Sequence, residues 1–360
     1  MNLNIELSLL NKHFFFHEKE HENEDENEKS NLISNICIYD FLSINEMNIS
    51  NIIRKIPYYI NNFNILYNYD VLNIGELNEN LIQKLDLSSL KNKNKYLIFQ
   101  YKYNKCIKIN DYLFHSNNTK IFIFKVLHSF SYLSNSLLLL NKNNICFFNL
   151  SYENIIFNSV CGENPILKNF QTSIQLKKLN DRYITKVIEK THDFSNKPLE
   201  IHVLFYLINN NLETLSYSLN EEIIENYIKN LSILRFFSLS YRDNYKNSCI
   251  ETLKKYINLP KTEIIKNILE RSDTWDCYSL SYIFLYIVCN ISRIFYLNDT
   301  FFNNFAIILS KNINPDPLKR ESLDITLNKY ETLFNEYHDW SYINKLSNTK
   351  LNKLFQILSE

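Results

Sequence analysis

Helical hydrophobic patterning fills the chain from residue 120 onward, and this asymmetry constrains the fold more than any other feature. Apolar side chains recur at helical spacing over residues 120–141 and predict a helix with one broad apolar face. Comparable patterns follow at 200–209, 220–237, 245–257, 261–270, 278–297, 301–311, 322–337 and 340–359. The earlier residues show short apolar runs divided by Asn-rich breaks, which are typical of short strands and small helices. The predicted fold class is α+β, with a small mixed β/α lobe followed by a large, mainly helical lobe.

The composition places the chain among globular proteins. Its 360 residues are enough for two domains or one two-lobed unit, and 45% of them are hydrophobic while 22% are charged. The formal net charge is zero, and the basic residues are dispersed instead of forming a stripe interleaved with aromatic residues. We therefore predict neither a nucleic-acid partner nor a membrane partner.

The longest apolar run, residues 278–297, approaches the length that spans a bilayer. Asn290 and Arg293 interrupt it, and a charge inside hydrocarbon is costly, so we predict a helix buried in a protein core. The seven cysteines are scattered without a Cys-x-x-Cys pair, and residues 1–20 lack the basic and apolar regions of a secretory leader. These features predict reduced thiols in an intracellular, cytoplasmic protein.

Residues 17–30, HEKEHENEDENEKS, form an acidic run. Its two histidines and six glutamates suggest either a metal site or a solvated surface insertion, and we favour the insertion because nothing fixes the geometry of ligands. The predicted organisation is a small lobe over 1–95 that carries this insertion, a hinge over 96–104, and a helical lobe over 105–360 with extra helices at about 205–270.

Residues 145–174 follow the helix predicted at 120–141 and have the pattern of loop, short strand, turn and short strand. Asn149 and Asn154 lie in the loop, and Asn169 precedes Phe170 at the end of the second strand. In order and spacing this stretch resembles the catalytic loop and the metal-binding segment of the eukaryotic protein-kinase family. The resemblance implies a protein-kinase-like two-lobed fold.

Later segments extend the resemblance over about residues 96–333. Pro198-Leu199-Glu200 looks like the family's Ala-Pro-Glu segment, and Asp276 begins a segment similar to Asp-x-Trp-Ser-x-Gly. Arg320 ends a segment similar to the family's late Asp-Pro…Arg segment. The composition of the chain and the replacement of several motif residues also resemble what is seen in kinase-like proteins of large DNA viruses.

The structural positions of the family are retained in this sequence. Phe147 and Phe170 are suited to the apolar column that the resemblance implies, and Asp276 is suited to accept backbone hydrogen bonds from the central loop. Glu200 and Arg320 are suited to the family's buried ion pair. Loss of one partner of such a pair leaves a lone buried charge, so the presence of both fits a retained architecture.

The chemical positions are altered. Asn149 stands where the family has its catalytic aspartate, and a neutral amide is a very poor base. Asn169 stands at the metal-binding aspartate and Asn154 at the metal-binding asparagine, whereas Mg²⁺ prefers anionic oxygen ligands. Ser151 replaces the lysine that neutralises the transferred phosphate, and Phe148 replaces the arginine that grips a phosphorylated activation segment.

The usual signature of nucleotide binding is also missing from the sequence. No glycine precedes Gly75, so there is no Gly-rich loop whose backbone approaches phosphates closely. Lys55 is the best candidate for the strand lysine that binds nucleotide, with Glu76 or Glu79 as its partner, although we favour surface positions for these residues.

We consider three hypotheses for function. The leading one is a pseudokinase, a kinase-like protein with a degenerate active site that serves as a regulatory or binding module for an unidentified protein partner. The alternative is an active Ser/Thr kinase that uses ATP and Mg²⁺ and recruits other carboxylates, such as Glu153 or Glu163. The third is an unrelated helical scaffold, which is favoured only if residues 1–100 form no sheet. The pseudokinase hypothesis predicts that Asn149, Asn154 and Asn169 converge on one cleft.

Overall fold

A computed structural model describes residues 3–5, 32–72, 95–102, 106–116, 118–158 and 164–359. The chain divides into two compact units. The first comprises residues 1–107 and 156–173, and the second comprises residues 108–155 and 174–360. The acidic run at 17–30, together with Glu76, Glu79 and Glu163, lies outside the described residues.

Short strands dominate the first unit. The described strands of the chain are β1 (Leu3–Ile5), β2 (Leu32–Ile38), β3 (Phe63–Asn64), β4 (Asn68–Leu72), β5 (Tyr96–Lys102), β6 (Cys106–Lys108), β7 (Ile145–Cys146), β8 (Ile155–Asn158), β9 (Pro165–Lys168) and β10 (Ile174–Gln175). An antiparallel sheet has the order β1-β2-β5-β4, with Ile98 opposite both Ile36 and Asp70. A second sheet has the order β3-β9-β8-β6, in which β3 and β9 run parallel. Because residues 1–100 contribute to a sheet, the condition for the helical scaffold is not met.

Strand β5 lies inside the first sheet, between β2 and β4. Tyr96, Leu97, Ile98 and Phe99 are each between 1% and 4% exposed. A strand that is buried on both faces has a continuous apolar run instead of an alternating one. The hinge predicted over 96–104 is therefore occupied by a central strand as far as residue 102, and the division between the units falls at residues 107 and 108. Residues 156–173, predicted in the helical lobe, also belong to the first unit.

One helix of the first unit, α1 (Phe41–Ile53), follows β2. It begins with a capping box, in which the Asp40 carboxylate accepts from the Ser43 N–H at 3.1 Å and the Ser43 hydroxyl accepts from the Asp40 N–H at 2.9 Å. Ile49 lies on the buried face, one turn from Glu46. The helix therefore buries a carboxyl group together with apolar side chains.

Helices build most of the second unit. They are α2 (Ile109–Phe114), α3 (Thr119–Lys142), α4 (Asp181–Glu189), α5 (Leu199–Asn209), α6 (Tyr217–Asn230), α7 (Leu239–Lys254), α8 (Lys261–Leu269), α9 (Trp275–Phe295), α10 (Phe301–Asn312), α11 (Leu323–Glu336) and α12 (Asn348–Ser359). Residues 232–236 and 341–345, predicted within α-helices, form 3-10 turns. The predicted α+β class, with a small mixed part and a larger, mainly helical part, is confirmed.

Helix α9 is buried along most of its length. Phe284 of α9 lies 5.2 Å, between ring centroids, from Phe130 of α3, whose ring also lies 4.9 Å from those of Phe305 and Tyr330. In the described part of the chain, the spans 119–142 and 272–295 are long and apolar enough to cross a membrane by length and composition. However, 56% and 72% of their apolar windows are buried. The packing of α9 agrees with the core helix predicted at 278–297.

Candidate functional site

The loop that follows β7 is held by an aspartate from α9. Asp276 lies in the first turn of α9 and accepts hydrogen bonds from the backbone N–H of Phe147 at 2.7 Å and of Phe148 at 2.8 Å. Burial raises the pKa of the Asp276 carboxyl, and these two amides, the Cys146 thiol and the Lys197 ammonium act in the opposite direction. Asp276 thus makes the loop contacts for which the sequence suits it.

A tight turn follows at Phe148. Its φ is +62°, in the left-handed region that a bulky side chain occupies at a cost of roughly 1–3 kcal/mol. The N–H of Asn149 donates to the carbonyl of Phe147 at 2.7 Å and closes the turn. The Phe148 ring is buried against Trp275, with 5.7 Å between ring centroids. Packing and hydrogen bonds from the surrounding structure therefore maintain the strained backbone.

Asn154 braces the same loop. Its amide donates to the Asn149 carbonyl at 2.8 Å and to the Ser151 hydroxyl at 3.1 Å. Asn154 is buried, Asn149 is half-buried and Glu153 is exposed. The second unit therefore brings Asn149 and Asn154 together. Asn169 belongs to the first unit, and its convergence with the other two stays a prediction.

Two residues without a sequence motif, Asn196 and Lys197, also contact the loop. The Asn196 amide donates to the Leu150 carbonyl, and the Lys197 ammonium donates to the Phe148 carbonyl. The ammonium lies 4.9 Å from the centroid of the Phe148 ring, and Lys197 is only 2% exposed. A polar pair before a proline is typical of an exposed turn, so sequence patterns do not distinguish these residues.

Lys197 lies close to carboxylates. Burial lowers the pKa of its ammonium to about 8, and the charges of Asp276 and Asp193 oppose that shift. The side chain therefore remains protonated in most molecules at neutral pH. Its charge is compensated by Asp276, which also binds the loop amides.

A buried ion pair links α5 to the segment before α11. Arg320 donates to the two carboxylate oxygens of Glu200 at 2.6 and 2.8 Å. Its other N–H groups donate to the Asn314 carbonyl at 2.7 Å, the Pro315 carbonyl at 3.3 Å and the Thr274 hydroxyl at 3.4 Å. All five guanidinium donors thus have acceptors, and the two paired side chains are 0% and 3% exposed.

In the first unit, the segment after β9 is attached to α1. The amide of Asn45 donates to the carbonyl of Gln171 at 2.8 Å and to that of Ser173 at 2.7 Å. The ring of Phe170, which lies in this segment, is buried and meets the ring of Phe63 edge-on, with 6.0 Å between centroids. One helix side chain therefore fixes the backbone on the C-terminal side of Phe170.

Replacement of Asn45 with alanine is expected to destabilise the first unit by about 2 kcal/mol, because two backbone carbonyls lose their donor. Hydrogen-exchange mass spectrometry in urea would measure this loss on peptides from β5. Asn48 is exposed on the same helix, so Asn48→Ala is the matched control for helix propensity. Equal effects of the two substitutions would contradict the prediction.

A buried carboxyl group lies next to the same segment. Glu46 is 0% exposed and faces the Phe170 backbone, the Tyr101 hydroxyl and the Cys37 thiol. Among the described residues, neither of its oxygens has a hydrogen bond of ordinary geometry. Burial raises the pKa of the Glu46 carboxyl to about 8, against the opposing effects of Phe170 and Tyr101. Glu46 is thus mostly uncharged at neutral pH.

Lys55 occupies a different environment. It is exposed in the turn after α1, where its backbone N–H donates to the Ile52 carbonyl at 3.1 Å. Within the described ranges, no lysine or arginine forms an ion pair with Glu46. Glu46 and Ile49 are three residues apart, so they share a helix face. This spacing is the signal in the sequence that Glu46 is buried.

The polar groups of the loop favour hydrogen bonding over proton transfer. Asn149, Asn154 and Ser151 supply amide and hydroxyl groups, which are neither general bases nor anionic metal ligands. In the part of the chain that the structure describes, no three His, Cys, Asp or Glu side chains are grouped to hold a metal ion.

Comparisons with known proteins give matches among solved structures. No family model and no curated protein matches the chain. The matches include titin kinase with its flanking domains, at 13% identity, a TM-score of 0.44, and coverage of 92% of this chain and 47% of that chain. The autoinhibited serine kinase domain of titin matches at 12% identity and a TM-score of 0.41, with coverage of 90% of this chain and 78% of that chain. The twitchin kinase region from C. elegans matches at 10% identity and a TM-score of 0.45, with coverage of 93% of this chain and 46% of that chain.

The chain thus spans about half the length of two of these structures.

Proposed function

We propose that this protein is a kinase-like module that has lost phosphoryl transfer and acts inside the cell by binding a protein partner. The observation that carries the proposal is the contrast within the loop at 147–154. Asp276 and Asn154 hold its backbone, whereas Asn149 supplies a neutral amide where phosphoryl transfer needs a carboxylate. The scaffold of the loop is therefore compatible with a kinase-like fold, and its chemistry is not compatible with a catalytic base.

The environment of Glu46 supports the same proposal. Kinases position the nucleotide phosphates with a lysine that forms an ion pair with a helix glutamate. Glu46 lies on the helix after β2, but it is buried, mostly uncharged at neutral pH and adjacent to a tyrosine and a cysteine. A neutral carboxyl group does not hold a phosphate-binding lysine in place.

The cysteines support an intracellular location. The six cysteines among the described residues are free thiols. Reduced thiols are usual in compartments where glutathione and thioredoxin maintain a reducing potential.

Thermal unfolding with and without ATP, each with and without Mg²⁺, tests the proposal. A bound ligand at 100 times its Kd would stabilise the protein by about 2.7 kcal/mol, which is readily measured. We expect no stabilisation that depends on Mg²⁺ and no transfer of the γ-phosphate to the protein or to a generic substrate. A rise in melting temperature with ATP alone would indicate a nucleotide-binding pseudokinase.

Asn149→Ala is the matched control for the phosphoryl-transfer assay. Transfer that persists unchanged in this variant would not depend on Asn149 and would come from a contaminating kinase or from another carboxylate, such as Glu153. Mg²⁺-dependent stabilisation by ATP, together with transfer that Asn149→Ala abolishes, would overturn the proposal in favour of a divergent active kinase.

A further inference from the structure

Every backbone carbonyl of residues 147–150 has a hydrogen-bond donor in the second unit. The carbonyls and their donors are Phe147 with the Asn149 N–H, Phe148 with the Lys197 ammonium, Asn149 with the Asn154 amide, and Leu150 with the Asn196 amide. Asp276 in addition accepts from the first two amides of this stretch. Side chains from several parts of the unit therefore determine the conformation of the loop.

The consecutive residues Asn196 and Lys197, here called the 196–197 clamp, bind alternate carbonyls of the loop. The clamp is itself anchored, because the Ser279 hydroxyl of α9 donates to the Asn196 carbonyl at 2.9 Å. Helix α9 also supplies Asp276, so one rigid helix supports both the clamp and the loop amides. The arrangement leaves the loop little freedom to change its backbone.

In the contact between Lys197 and Phe148, the charged group is the ammonium of Lys197, and the loop contributes no charge. A loop that responds to phosphorylation needs a cation that binds the added phosphate, which carries about two negative charges. Here the loop offers the ring and the carbonyl of Phe148, and the cation is Lys197 from the segment before Pro198. Residue 148 is a phenylalanine, so the loop has no arginine at this position to bind an added phosphate group.

We propose that the 196–197 clamp permanently fixes the loop at 147–150, so that its conformation does not depend on phosphorylation. The Lys197 ammonium is part of the amino-acid sequence, so its contact with the loop needs no added phosphate group. The proposal about the clamp rests on the proposed function only because it takes the loop at 147–150 as the functional element.

Hydrogen exchange of the loop amides in unphosphorylated protein is the direct test. Mass spectrometry would first verify that the full-length chain carries no phosphate. We expect the amides of Phe147, Phe148 and Asn149 to be protected in this protein. Amides that exchange freely until the protein is phosphorylated would overturn the proposal.

Lys197→Met tests the clamp itself, since it keeps the length of the side chain and removes the ammonium. We expect about a tenfold loss of protection at the same amides, which corresponds to one charge-assisted hydrogen bond. The exposed Lys190, seven residues earlier, provides the control Lys190→Met. The substitution also removes a positive charge next to the buried Asp276, so global stability is expected to fall as well, and protection of the loop amides is compared with protection of α9 in the same variant. Protection within a factor of two of the wild-type value in Lys197→Met would contradict the proposal.

Asn196→Ala provides a second variant in case Lys197→Met does not fold. It removes the donor to the Leu150 carbonyl without changing a charge, and we expect several-fold faster exchange in the loop. Unchanged exchange in this variant would likewise contradict the clamp. These measurements use no nucleotide, so their outcome is independent of the ATP experiment.

Discussion

Glu46→Gln is expected to remove most of the pH dependence of the stability of the first unit between about pH 5 and about pH 8. In the unfolded chain this carboxyl ionises near its ordinary pKa of 4.5, whereas in the native protein it stays protonated up to about pH 8. The native state therefore holds one more proton than the unfolded state throughout this interval. Stability accordingly falls as the pH rises through it and is constant above it.

The expected magnitude is large because the group is fully buried. Each pH unit between the two pKa values corresponds to about 1.4 kcal/mol, so the total reaches several kcal/mol. Cys37 and Tyr101 face Glu46, and Asp40 acts on Cys37. Burial raises the pKa values of Cys37 and Tyr101, so these two groups titrate above the interval. Glutamine has a similar shape and no proton to lose, so the variant should be the more stable form at pH 8.

Unfolding in urea, followed by hydrogen-exchange mass spectrometry of β5 peptides at several pH values, measures this effect in the first unit. Tryptophan fluorescence would not, because Trp275 and Trp340 are the only tryptophans of the chain and both belong to the second unit. Asp70 is exposed on β4, and Asp70→Asn is the matched control for loss of a carboxylate. A pH dependence that is the same in Glu46→Gln as in the wild type would show that the carboxyl is already ionised in the native state.

The environment of Glu46 could not be predicted from the sequence, in contrast to the helices of the second unit. The helices of the second unit could be predicted from hydrophobic periodicity, because one apolar face at helical spacing is a local property. Helix α1 lies among short apolar segments without such a clear pattern. The spacing of Glu46 from Ile49 indicates a buried helix face, but no motif identifies Tyr101 and Cys37 as the neighbours of Glu46. That environment is produced by a strand and a helix that meet only in the folded unit.

The site shows the same distinction. Asp276, Glu200 and Arg320 could be located from the order of their segments, because each is part of a spaced pattern that includes neighbouring residues. Asn196 and Lys197 are polar residues before a proline, and their partners lie 46 and 49 residues away in the sequence. Their role depends on where the Phe148 turn places two carbonyls, and that turn has a left-handed φ that an aromatic residue rarely adopts. Neither feature has a local sequence signal.

The largest loss of stability in the second unit is expected from breaking the pair of Glu200 and Arg320. Glu200→Gln would leave the guanidinium charge buried without its counter-ion, at a cost of about 3–5 kcal/mol. The carbonyls of Asn314 and Pro315 and the hydroxyl of Thr274 would still accept from Arg320, but neutral acceptors do not replace a carboxylate. Arg320→Lys should also be destabilising, since an ammonium cannot reproduce five donors in a planar fork.

Urea denaturation followed by tryptophan fluorescence measures this loss in the second unit alone. The exposed pair of Lys246 and Glu225, 3.9 Å apart, provides the control, and Glu225→Gln should cost less than about 1 kcal/mol. The double variant Glu200→Met with Arg320→Met removes both charges, so it should be less destabilised than the sum of its two single variants. A cost below about 1 kcal/mol for Glu200→Gln would mean that water or another anion reaches Arg320, and that the pair does not hold α5 against the segment before α11.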